Sequence, residues 1–114
     1  MKELVMYSKN DIAKIKQIIL KTVTPEEIIL FGSYARGDFN KESDLDFLVV
    51  LKDELTRIEK NRIRNSLAFQ FFDFNFNVDL IITSKSYVQR YKSISGTIIK
   101  PASESGKIIW KKLH

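Results

Sequence analysis

The residues of this 114-residue chain best placed to do chemistry are Asp44 and Asp46, in Ser43-Asp44-Leu45-Asp46-Phe47-Leu48-Val49-Val50. Spaced by two on what reads as a strand, both carboxylates point to one face. Two carboxylates that close repel unless a cation lies between them. Hard oxygen donors of this kind suit Mg²⁺ or Mn²⁺ rather than zinc. In a two-metal site, ions about 3.5–4 Å apart activate an attacking oxygen and stabilise a leaving one. Asp79, in Asn77-Val78-Asp79-Leu80-Ile81-Ile82, supplies the third ligand expected of such a site and could also take the proton of a nucleophile. Upstream, Gly32 permits unusual dihedrals and close backbone approach to a ligand. Ser33 adds a hydroxyl and opens a helical turn whose N–H groups favour phosphate, and Arg36 is within reach of a triphosphate oxygen.

Each piece alone has an ordinary reading. A bare Asp-x-Asp is commonly a solvated strand end, a Gly-Ser pair a plain turn, and an arginine a surface residue. The combination is what matters. Gly-Ser, ten residues, Asp-x-Asp fixes four residues, each near 6% usage, and arises by chance about once in 10⁵ positions.

The elements must bring these residues together. Ser8 caps a helix with Asp11 three residues on; Ile12, Ile15, Ile19 and Val23 follow at helical spacing, and Thr24-Pro25 ends it. Glu27–Phe31 and Leu45–Leu51 read as buried strands. Gly32–Gly37 forms a turn with Gly37 left-handed at its end, and residues 38–43 form a polar loop. A helix is expected from Asp53 to about Phe71, with Leu55, Ile58, Ile63, Leu67 and Phe71 inward and Arg57, Lys60, Arg62 and Arg64 outward. A strand over Phe76–Thr83 follows, then a short helix capped by Ser84 and running to about Tyr91. A short helix near Ile98–Ser105 and an extended piece around Ile108–Trp110 complete the order. For Gly32-Ser33 at the end of one strand to meet Asp44 and Asp46 at the start of the next, those strands must be antiparallel. Asp79, near the start of its strand beyond a long helix, reaches them through a parallel, right-handed crossover. The fold class is thus α/β (α+β), a small mixed sheet with helices packed on it.

The pattern Gly32-Ser33…Asp44-x-Asp46 resembles that of the DNA polymerase beta-like nucleotidyltransferase superfamily. Chain length and the form GSYARGDFNKESDLDFLV resemble its minimal (MNT) branch. The resemblance covers roughly residues 10 to 110 and implies the nucleotidyltransferase fold, with one domain over residues 1–114. It further implies Mg²⁺-dependent transfer of a nucleoside monophosphate from a triphosphate, with ATP the expected donor and two ions engaged. Carried over by position, Gly32 and Ser33 bind phosphate and Asp44, Asp46 and Asp79 bind metal. Minimal members are paired with HEPN-domain proteins in toxin–antitoxin modules, where they add AMP to a tyrosine of the ribonuclease toxin. Such a protein is therefore the expected partner and acceptor, especially as the short chain leaves little room for an acceptor-binding domain. Competing readings are a small-molecule, aminoglycoside-type transferase with a helical partner subunit, an antitoxin that blocks by contact alone, and a basic nucleic-acid-binding module.

Composition bounds these readings. A net charge of +5 and a pI near 9.5 favour polyanionic partners, although lysine-rich helix faces are usually just solvated. The absence of cysteine excludes disulfides and thiolate zinc sites. No apolar run reaches the roughly 20 residues of a membrane span, and the N-terminus does not read as a signal peptide, so a cytoplasmic location is expected. Homo-oligomerisation is left open. The run Phe69-Gln70-Phe71-Phe72-Asp73-Phe74-Asn75-Phe76 is expected to pack the core, with a partner interface as the alternative. If the third strand begins early, Asn77 supports Asp79. Tyr34 reads as packing rather than as a base-stacking or self-modification site. His114, the only histidine, reads as terminal tail.

Overall fold

A computed structural model of the chain describes residues 6–113; residues 1–5 and His114 lie outside the described residues. The order is α1 (Lys9–Thr22), β1 (Glu27–Phe31), α2 (Gly32–Arg36), β2 (Leu45–Leu51), α3 (Arg57–Asp73), β3 (Val78–Ser84), α4 (Lys85–Tyr91), α5 (Ile99–Ser105) and β4 (Lys107–Lys111). The sheet has the strand order β3-β2-β1-β4. β1 is antiparallel to both β2 and β4, while β2 and β3 are parallel. This is the mixed sheet that the positions of the site residues demanded.

Local chemistry sets the element ends. Ser8 and Asp11 form a capping box at α1, and Thr56 and Glu59 form another at α3. The second cap corrects the expected start of α3 from Asp53 to Arg57. Thr56 has the side-chain oxygen that the first free N–H groups need, whereas Asp53 precedes them by a turn. The shift turns Ile58 outward, to 67% exposure, against the expectation that it packs inward. At the other end α3 continues through Asp73, and the chain turns at Asn75, which has φ 58°. Phe72 is therefore helical, and β3 begins at Val78, not Phe76.

Alternation along the strands divides the apolar side chains between the two sheet faces. Leu45, Phe47, Val49 and Leu51 join Ile28, Leu30, Ile15, Ile19, Leu67 and Phe71 on the side of α1 and α3. Leu48 and Val50 join Ile29, Phe31, Ile99 and Ala102 on the side of α4 and α5. Not all of the phenylalanine run enters a core. Phe71 is buried, but Phe69 and Phe72 are 75% and 79% exposed and Phe74 is 48% exposed. No helix among the described residues is long and apolar enough to cross a membrane.

Candidate active site

The site lies where the end of β1 meets the starts of β2 and β3. Phe31, the last residue of β1, pairs with Asp46, and Asp46 is aligned with Asp79 on β3. Aligned residues of parallel strands share a face, so the two carboxylates lie side by side on the α4/α5 face of the sheet. Asp44 stands one residue ahead of β2 and acts electrostatically on Asp46. The antiparallel and parallel pairings thus bring the Gly32 turn and the carboxylates together from three separate segments of the sequence.

Gly32 follows directly and has φ +72°. A Cβ built there would collide with Oδ2 of Asp46, so only glycine lets the chain pass this closely over the carboxylate. Ser33 comes next, half-buried in the first turn of α2, and its carbonyl accepts the Gly37 N–H at 2.9 Å. Gly37 ends α2 in the left-handed conformation, as its position suggests.

The electrostatics mark Asp46 as the stressed member. Burial, then Asp79, then Asp44, push its carboxyl up from 3.8 to about 6; a hydrogen bond with Asp79 adds to this and Arg36 opposes it. Arg36 itself sits on the rim, with Nε 3.3 Å from Oδ2 of Asp38. Among the described residues no three carboxylate, histidine or cysteine side chains are drawn into a closed metal-ligating cluster. Asp79 and Asp44 instead add to the raised proton affinity of Asp46, as nearby like charges do. Their donor chemistry fits a hard divalent ion, which would relieve that repulsion.

Two residues outside this group hold its halves in place. The Tyr7 hydroxyl accepts the Asn77 N–H at 2.8 Å, and the Tyr7 N–H donates to the Tyr34 hydroxyl at 3.0 Å. This relay ties α2 to the head of β3. Tyr34 is buried and stacks on Phe39, with ring centroids 4.1 Å apart, consistent with the packing role expected of it. Tyr7 carries no sequence signal, because it precedes the first periodic segment and works through its backbone and hydroxyl. Asn77 lies ahead of β3, and its carbonyl accepts the Leu45 N–H at 3.0 Å.

Comparison with known proteins agrees with this geometry. The model of the family described as "Nucleotidyltransferase domain" matches residues 12–111. The chain is 34% identical over 84 residues to "Putative protein adenylyltransferase MJ0141" of Methanocaldococcus jannaschii, covering 74% of this chain and 80% of that protein. The fold is similar to that of a toxin–antitoxin structure with AMP-PNP, at TM-score 0.60 and 24% identity, over 88% of this chain and 73% of the other. It is also similar to a chain in the complex of tri-AMPylated Shewanella oneidensis HEPN toxin with MNT antitoxin. That match has TM-score 0.55 and 24% identity, over 88% of this chain and 69% of the other.

Proposed function

We propose that this chain, which belongs to the nucleotidyltransferase domain family and is a nucleotidyltransferase, is of its minimal branch and moves AMP from ATP onto a tyrosine of a HEPN-domain toxin, thereby acting as antitoxin. The observation that carries this reading is the alignment of Asp46 with Asp79 beneath a glycine whose positive φ and closeness to the Asp46 carboxylate disfavour any side chain. The adenylyltransferase name of the Methanocaldococcus jannaschii relative supports the chemistry. The HEPN toxin in the Shewanella oneidensis complex and the AMP-PNP in the toxin–antitoxin structure support the acceptor and the donor.

In this reading Asp44, Asp46 and Asp79 hold Mg²⁺, with Mn²⁺ as an alternative of similar ligand preference. Bound divalent ions would neutralise triphosphate charge and acidify the acceptor hydroxyl. Gly32 lets the donor phosphates approach the backbone, and the N–H groups and hydroxyl at Ser33 hydrogen-bond them. Arg36, on the rim, exchanges Asp38 for a phosphate oxygen. Asp79 accepts the proton of the tyrosine hydroxyl as its oxygen bonds to the α-phosphorus, and the bond to pyrophosphate breaks.

The test is incubation with the product of the adjacent gene and with a HEPN-domain protein, with ATP and Mg²⁺, followed by intact-mass and peptide mapping. The expected result is AMP on tyrosine. The Asp44→Asn, Asp46→Asn double variant should lose at least about a hundredfold in transfer rate while still forming the complex. Neutralisation retained by that variant would replace catalysis with blockade by contact. No transfer by the native chain, beside an active control transferase, would remove the proposal.

A further inference from the structure

The sheet has two edges, and the sequence treats them differently. β4 is bounded by Lys107 and Lys111, with Lys112 beyond, the usual protection of an edge against another strand. β3, Val78-Asp79-Leu80-Ile81-Ile82-Thr83-Ser84, has no lysine and no proline, and Asp79 is its single charge. Among the described residues no backbone hydrogen bond reaches its outer side. The Leu45 N–H donates to the Asn77 carbonyl. In a parallel ladder that phase turns the N–H and C=O groups of Asp79 and Ile81 toward β2. Those of Val78, Leu80 and Ile82 face outward.

Beside this open edge lies a groove of about 200 Å³, lined by Arg64, Ala68 and Phe71 of α3 and by Val78, Asp79 and Leu80. An apolar cavity of about 150 Å³ takes up benzene, whereas pockets for whole small molecules run from about 300 Å³ upward. The groove therefore suits one apolar side chain and is too small for a nucleotide. It lies on the α3 side of the sheet, while the carboxylates of Asp46 and Asp79 lie on the other.

We propose that the β3 edge and this groove bind an extended segment of the acceptor protein by strand addition, which deepens, and rests on, the transfer reading above. Successive side chains of an added strand point to opposite faces. A segment with an apolar residue seated against Ala68 and Phe71 thus presents the adjacent residue to the carboxylate face. The acceptor motif is an apolar residue next to the hydroxyl-bearing one, in an extended stretch that pairs with Leu80.

Amide hydrogen exchange on the complex with the HEPN-domain protein tests this. Binding should slow exchange at Val78, Leu80 and Ile82, while Asp79 and Ile81, already paired with β2, change little. Ala68→Trp, at an exposed helix position, should raise the acceptor KM at least about tenfold, with kcat at saturating acceptor and the affinity for Mg·ATP unchanged. A formed complex without protection at the three outer amides, or an Ala68→Trp protein with native KM, overturns the docking site. A complex that protects those amides but transfers no nucleotide upholds the docking site and instead overturns the transfer reading.

Discussion

Asp46 is held where its charge is unwelcome, and this separates what the residue does for stability from what it does for chemistry. Its carboxyl titrates near 6 in the folded chain against 3.8 in the reference state, chiefly through burial and then through Asp79 and Asp44. A raised acid contributes stability that is complete below its unfolded value and is lost as pH rises through about 6. In chelator at pH 7.5, Asp46→Asn should therefore stabilise the fold by about 1 kcal/mol, once partial exposure and solvent screening are allowed for. Below pH 4 the two proteins should unfold alike, and adding Mg²⁺ should raise the melting temperature of the native chain only. Denaturation across that range checks both signs. Gly32 is the complementary case. Gly32→Ala places a Cβ on the Asp46 carboxylate at a positive φ, so we expect a loss of about 2 kcal/mol or more and no nucleotide binding, measured by denaturation and by ATP titration.

At the scale of elements, the site depends on α2 and β3 keeping their relative position, and Tyr7 spans that gap. Tyr7→Phe removes the acceptor of the half-buried Asn77 N–H but keeps the ring between Tyr34 and Phe76. A cost of about 1 kcal/mol in denaturant is expected, with a larger fall in transfer than Thr56→Ala, which removes a cap of similar worth far from the carboxylates. The strands, their directions and the meeting of Gly32, Asp46 and Asp79 were readable because strand ends and motif positions constrain one another. The Thr56-x-x-Glu59 cap was present in the sequence but was overridden by the apolar period that includes Ile58. Phe69 and Phe72 were misplaced for a related reason: an aromatic run is the same string whether it fills a core or covers an outer helix face. Tyr7 was invisible because a hydroxyl that bridges residues 34 and 77 leaves no local pattern.

For the whole molecule, β2 belongs to both apolar clusters, with Phe47 on one side and Leu48 on the other. Neither side of the sheet can lose its packing without exposing the strand that the other side needs. Heat or denaturant should therefore unfold the chain in one step, with far-ultraviolet circular dichroism and Trp110 fluorescence giving the same midpoint. Two separated transitions would instead show that the two sides of the sheet unfold independently. The parallel pairing of β2 with β3 through α3 has a further consequence, for the order of events in a nascent chain. β1 and β2 can meet through a short connection, whereas β3 must close a much longer loop before Asp79 arrives. A chain still on the ribosome with that closure unmade holds two carboxylates of the three, so in the transfer reading enzymatic competence is withheld until this longer closure has been made.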